Sequence, residues 1–491
     1  MDSWKDLERS LAEITSAASV EVREDGEWLV ELSKIQSELR PQGTHHVVHL
    51  WSESRNLARR VLRIAECSSA GIILEVQRFG NPRPGKLEIL PAGAPRSERR
   101  MTREMFRSRF RRVLSEQFPD AEIGDFTAAA DLEHSLSGVY VRGRIFERGA
   151  EWAVLGVSPS EDSAAMDGAL AAGLLWLDLL RRRAARRPIQ GLRLILPAGS
   201  SNATLQRLRG LVPRQIEVFE FEPESERIRT CDPALAGNTA SWIVPRRDSQ
   251  STLAAIPAEI EQICALHREA IDARPVPGKR EVVFRFRGLE FASWREGSIM
   301  FGKGDNWRAL SEMNRHELSA LVRELDLHRN PLASDPTHSL FRGRPERWLE
   351  TTIAADPSRL DARLNPRELY SQVPAIAAGD RGVMDLLGVT REGRLVVMEL
   401  KASEDLHLPL QALDYWLRVR WHQREGDFQR NGYFSGITLD ERPPLVWLVA
   451  PGLRFHPSTD ILLKYFSPEV QVTRIGLAEN WRCGIQVVFR M

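Results

Sequence analysis

Apolar residues recur along this chain with two periods, and the alternation between them outlines its elements. In the first 95 or so residues, WKDLERSLAEIT spaces apolar positions three and four apart and predicts an amphipathic helix over about 3–17. RNLARRVLRI (55–64) has the same spacing and predicts a second helix. VVHLW, GIILEV and KLEIL read as strands, the last two separated by the turn-rich GNPRPG. The polar PAGAPRSERR (91–100) reads as a linker, and REMFRSRFRRVLSEQF (103–118) as a basic helix ended by Pro119. Strands GVYVRGRIF and EWAVLGV, a long Ala/Leu helix, the strand LRLILPAG and a last helix–strand unit carry the pattern to about 222.

Residues 223–280 look irregular apart from one helix, AAIPAEIEQICALHREAI (254–271), and the proline-rich ARPVPGK. Alternating VVFRFRGLEFASW, the GSIMFG strand and the helix SEMNRHELSALVREL follow. RNPLASDPTHSLFRGRP (329–345) reads as a second linker. The expectation is an α/β protein in four parts. These are an N-terminal α/β segment (1–95), a domain over 96–225, a linker and α+β segment (226–335), and a C-terminal domain (336–491).

The strand VVMELKASED (396–405) breaks its own pattern, because Glu399 and Lys401 stand where more buried aliphatics belong. GVMDLLGVTREGRLVVMELKA reads as a hairpin around the polar turn TREGR. Pairing symmetric about Glu392 sets Asp385 across from Glu399, with Cβ atoms about 5 Å apart. Lys401, two residues beyond, falls on the same face. Opposed carboxylates destabilise a hairpin, and buried ones more so unless something pairs them. A divalent cation resolves the conflict. Mg²⁺ takes one or two carboxylates, water and phosphate oxygens, which leaves Lys401 to hold or help deprotonate an attacking water.

Asp385 followed by Glu399-Leu400-Lys401 resembles the signature of the PD-(D/E)xK nuclease superfamily, the restriction-endonuclease-like fold. GVMDLLGVTREGRLVVMELK is particularly similar to its NucS and RecB-like branches. The resemblance covers about 340–455, and Met384 stands where the family usually has proline. It implies a further acid on the preceding helix, PERWLETTIAADP, where Glu350 fits and Glu346 is the fallback. It also implies a QxxxY element, matched by Gln411 and Tyr415, which on a helix share a stripe with Arg418 and His422. The implied activity is phosphodiester hydrolysis with Mg²⁺, for which Mn²⁺ substitutes. Asp385, Glu399, the Leu400 carbonyl and Glu350 would be ligands, Lys401 would position the nucleophile, and Gln411, Tyr415 and Arg418 would hold a substrate that by resemblance is DNA. An RNA nuclease, or a non-catalytic nucleic-acid-binding or scaffolding protein with a vestigial site, are the competing readings.

A search for internal repeats aligns AVLGVSPSED (153–162) with VVMELKASED after a shift of 243 residues. In that alignment Arg142 replaces Asp385, Gly156 replaces Glu399 and Ser158 replaces Lys401, and further on, outside the gapless register, both copies have a helix, a proline (Pro213 and Pro468) and a strand. Aligning Pro119 with Pro357 sets Arg112 under Glu350. Residues of about 100–222 thus read as a degenerate copy of the nuclease-like domain without its metal groups.

Composition adds little beyond this. Sixty-eight basic residues against 67 acidic ones give a net charge of +1, so any basic surface must be local. Four scattered cysteines lack metal-ligand spacing, which disfavours a structural zinc or a disulfide framework and suits a reducing compartment. The charged MDSWKDLERS lacks a signal-peptide core and no apolar run reaches membrane-spanning length, so a soluble cytoplasmic protein is expected. His45, His46 and His49 read as strand histidines rather than metal ligands. Oligomeric state leaves no trace in the sequence.

Overall fold

The computed structural model describes residues 3–491 apart from 16–18, 25–26, 34–35, 43–44, 52–55, 69–70, 78–83, 92–94, 132, 185–186, 213–215, 236–240, 244, 277, 305 and 378–379. It is mixed α/β, with four sheets, some of them mixed and flanked by helices. Two compact units divide the chain. One contains residues 1–116, 126–128 and 160–164, and the other contains the rest.

The first unit holds a seven-stranded antiparallel sheet with the helix Ser3–Thr15 packed on it through Leu7, Leu11 and Ile14. The expected helix at 55–64 is instead the strand Asn56–Ser68. Its register slips at two bulges, between Val61 and Arg63 and between Ile64 and Glu66. Each bulge adds a residue to the period of two, which spaces Leu57, Val61 and Ile64 as a helix would. The 91–100 linker is also corrected, because a helix runs from Pro95 to Gln117. That helix, with Arg112, groups with the first unit as far as residue 116. The side chains of His45 and His49 and the central residues of GNPRPG lie outside the described residues, while His46 stacks on Trp4.

The second unit contains three sheets. One runs, edge to edge, through strands 227–231, 216–222, 189–197, 150–157, 140–147 and 122–123. The strands Tyr140–Glu147 and Ala150–Val157 form a hairpin, the helix Ser163–Arg183 follows, and Ile189–Pro197 returns parallel to Ala150–Val157. Another sheet runs through 241–243, 364–377, 380–390, 395–400, 445–451, 471–477 and 487–490. It too carries a hairpin (380–390 with 395–400), a long helix (Leu408–Arg424), two parallel strands and an antiparallel edge strand. The two long helices and the inner faces of both sheets share one core, in which Leu155, Leu174, Leu194, Leu413 and Leu448 are fully buried. Among the described residues only Ser163–Arg183 is long and apolar enough to cross a membrane, and 72% of its apolar window is buried in this core.

The halves also meet backbone to backbone. Leu211 and Phe466 form an antiparallel bridge, flanked by Val212 N–H donating to Tyr465 O (2.9 Å) and Ser467 N–H donating to Gly210 O (2.8 Å). Each bridge residue is followed two positions later by a proline, Pro213 or Pro468. Arg207, itself buried, donates to both carboxylate oxygens of Asp414 (2.9 and 2.7 Å).

The region between these sheets is more ordered than its composition suggests. The helix expected at 254–271 is shorter, Pro257–Cys264, because Pro257 has no N–H for a continuous helix and starts a new one; an unexpected helix, Arg246–Ala254, ends just before it. Ile271–Pro275 is the edge strand of a five-stranded antiparallel sheet, where its terminal proline costs no ladder bond. The supposed linker at 329–345 is packed. Arg329 is fully buried, donates to the carbonyls of Phe286, Arg287, Leu340 and Gly343, and lies over Trp348. A buried guanidinium needs that many acceptors, and linker-like composition cannot reveal them.

Candidate active site

The hairpin at 380–400 pairs Leu386 with Met398, Leu387 with Val397 and Gly388 with Val396, the register symmetric about Glu392. Continuing it by one position sets Asp385 across from Glu399. Gly393 makes the turn with φ +89°, and its Cα hydrogens point at Thr438 O so closely that a Cβ would come within 2.2 Å. Period two then divides the strand Leu395–Leu400. Val396, Met398 and Leu400 pack against Trp348 and Leu349 of the preceding helix. Leu395 and Val397 pack toward Val419 of the following one, and Glu399 shares their face.

Asp385 Oδ2 accepts the Leu400 N–H at 3.0 Å, which clips the two strands together at the charged end. Burial raises the Asp385 pKa although that N–H, Arg347 and Lys401 oppose the shift. Glu399 is 4% exposed, and burial together with Asp385 pushes it well above the usual carboxylate range. Its Oε2 is buried without a hydrogen-bond partner, as is Oε1 of Gln411. Two facing acids, one half-buried and one buried, thus resist ionising together.

Lys401 sits between acids. Its Nζ lies 3.0 Å from Asp405 and 3.8 Å from Glu399. Burial alone would depress the ammonium, but Asp405 and Glu399 outweigh it and hold its pKa above the ordinary value. Lys401 therefore keeps its proton, which makes it a charge to orient and stabilise an oxygen and not a base. Asp405 was missed in the sequence, although its i, i+4 spacing from Lys401 is plain in KASED.

The helix Pro345–Ala355 brings both of its glutamates. Glu350 is 2% exposed, and burial pushes it to about 7 although Arg347 and Arg285 pull it down. Arg347 donates to Glu350 Oε2 at 2.8 Å, and Arg285 lies 3.8 Å from Oε1. Glu346 Oε1 accepts the Ala402 N–H at 3.3 Å, and its charge raises Asp385. Both acids border Asp385. Arg347 and Arg285 were not foreseen; the first is one helical turn from Glu350, while the second comes from the five-stranded sheet, beyond any local signal.

On the helix Leu408–Arg424, Leu410 and Leu413 are buried as expected. Tyr415 lies toward the acids: burial raises its phenol, and Glu399 and Asp385 raise it further. Gln411 is half-buried one turn before it, and Arg418 lies near enough to stabilise the Tyr415 phenolate and Asp414. His422 departs from the expected polar stripe. It is 1% exposed and its Nδ1 is 2.7 Å from Asp427 Oδ2, so it is a core residue.

Among the described residues no three His, Cys, Asp or Glu side chains gather as a ready-made metal cage. The donor set present, two hard carboxylates with an orphaned oxygen, instead fits a cation that keeps most of its water, as Mg²⁺ does. In the other half, Arg142 is buried and lies across from Leu155, not Gly156, because the Arg148–Gly149 turn shifts that hairpin by one. It donates to Ser137 O and Ala129 O and lies over Trp176. Leu155 and Val157 pack into the shared core, so the residues on that face of the strand are apolar.

No family model matches the chain, and no curated protein matches it.

Proposed function

We propose that the protein is a Mg²⁺-dependent nuclease that hydrolyses phosphodiester bonds of DNA at the Asp385–Glu399–Lys401 site. The observation that carries this reading is the half-buried Asp385 facing the buried Glu399, whose Oε2 is orphaned, with Lys401 Nζ 3.8 Å from Glu399. A buried carboxylate oxygen without a hydrogen-bond partner is costly, and Glu399 Oε2 gives the strand no bond in return.

Asp385, Glu399, the Leu400 carbonyl and Glu350 would hold the cation, Glu350 directly or through water. Bound there, the cation would supply charge stabilisation to the phosphate and lower the pKa of a bound water. Lys401, held beside Asp405 and Glu399, would supply the positive charge that positions the attacking water. If it holds the cation only through water, Glu350, which burial pushes to about 7, would be placed to accept a proton at its carboxylate. Tyr415 and Gln411 border the acids and would hold the substrate strand, with Arg418 beyond them for phosphate.

The shared order of elements in the two sheets, and the Leu211–Phe466 bridge between corresponding loops, support reading the domain as restriction-endonuclease-like and residues from about 117 to 231 as its degenerate twin. In that alignment Arg142, Leu155 and Val157 take the positions of Asp385, Glu399 and Lys401. The twin would then act as a built-in inactive partner.

The test is cleavage of duplex, single-stranded and branched DNA with Mg²⁺ or Mn²⁺, with RNA in parallel. Metal-dependent cleavage of DNA that is lost in Lys401→Ala and in Asp385→Ala supports the reading. Nucleic-acid binding without cleavage would leave the non-catalytic reading standing, and cleavage of RNA alone the ribonuclease one.

A further inference from the structure

A cavity of about 320 Å³ opens between the five-stranded sheet and the strand Leu364–Ala377. Arg246, Arg274, Arg285, Ser371, Tyr370 and Tyr433 line it together with aliphatic side chains, and no acid is among the lining residues. Arg246 is tied to Tyr370 and lies 3.5 Å from Glu368. Arg274 is tied to Asp272 and donates to Ser371 Oγ at 3.2 Å.

Arg285 is different. It stands opposite a bulge in the strand Leu289–Arg295, its side chain is 19% exposed, and its nearest acid is Glu350 at 3.8 Å. No hydrogen-bond acceptor among the described residues takes its N–H groups. A guanidinium that lines a cavity and gives its donor fork to no protein acceptor is placed to take an oxyanion there. Glu350 also ties the cavity to the candidate active site, because it feels both Asp385 and Arg274.

We infer that this cavity binds one nucleotide of the substrate strand, its phosphate on Arg285 and Arg274 and its base between the tyrosines and the aliphatic wall. The inference rests on the nuclease reading for what the strand is doing there, but not for the binding itself. Cavities of about 300–1,000 Å³ suit small ligands, and this one lies at the lower end, with room for a nucleotide and none for a duplex. Arginine forks match phosphate oxygens in pairs, and aromatic faces take any base. The segment between the two halves thereby gains a role, since it supplies Arg246, Arg274 and Arg285.

Titration calorimetry of the full-length protein in EDTA, with a deoxynucleoside monophosphate, the matching nucleoside and inorganic phosphate, tests this. The monophosphate should bind at least tenfold more tightly than either of the others. Arg274→Ala/Arg285→Ala should weaken it tenfold or more, and Arg274→Lys, which keeps the charge but not the fork, should weaken it severalfold with an unchanged thermal transition. Lys401→Ala should bind it as the wild type does. Equal binding of phosphate alone, or indifference to Arg274→Lys and to the double substitution, would overturn the assignment even if DNA cleavage is observed. Monophosphate binding with these losses but without any cleavage would overturn the nuclease reading and leave the nucleotide site in place.

Discussion

At the scale of single residues, the site is governed by carboxyl groups that hold protons longer than usual. Glu350, pushed to about 7, binds more protons folded than unfolded between roughly pH 4.5 and 7. Its contribution to stability is therefore present below the unfolded value and lost as pH rises through that window. Denaturant unfolding should show Glu350→Gln more stable than wild type at pH 8, by on the order of 2 kcal/mol without divalent metal, and the difference should vanish near pH 4.5. Equal stability at both pH values would contradict the shift. Asp385 is also raised by burial and by Glu346, and Glu399 by burial and by Asp385, so a cation bound there would have to displace protons. Mg²⁺ affinity, measured by calorimetry, should thus climb with pH up to neutrality and beyond. A pH-independent affinity, or one unchanged in Asp385→Asn, would place the cation elsewhere.

At the scale of elements, the hairpin carries the proposed site and its turn sets the register. Ala at position 393 would place a Cβ about 2 Å from Thr438 O in a conformation with positive φ. Gly393→Ala should cost about 2–3 kcal/mol and reduce cleavage by loosening the Asp385–Glu399 apposition. A wild-type melting temperature in that variant would mean that the turn is not constrained. The hairpin register was legible in the sequence because a strand with one charged end and a central glycine turn admits few pairings. Asn56–Ser68 was illegible for a related reason, since its two bulges convert strand alternation into helical spacing. Glu350 could be chosen from its helix, but Arg285 could not, because its approach to that carboxylate depends on packing between segments distant in sequence.

At the scale of the second unit, two similarly ordered sheets are joined through one core and one reciprocal backbone bridge. Arg207 belongs to one half and Asp414 to the other, and both are desolvated. Arg207→Met leaves the half-buried Asp414 without its bidentate partner and should cost about 1–3 kcal/mol. Because the core is shared, urea unfolding followed at tryptophan and by circular dichroism should remain one transition for this unit. An unchanged midpoint would show that the pair is not structural. Composition predicted linkers where the chain is in fact packed, as Arg329 illustrates: proline, serine and polar residues say nothing of the carbonyls that will surround a buried arginine.

One measurement bears most directly on the central claim: cleavage of DNA by the full-length protein with Mg²⁺, compared with Lys401→Ala and Asp385→Ala proteins of unchanged circular dichroism. Metal-dependent cleavage by the wild type, reduced at least a hundredfold in both variants, is the predicted result. Cleavage that persists in either variant, or its absence from the wild type on every DNA substrate, would contradict the account.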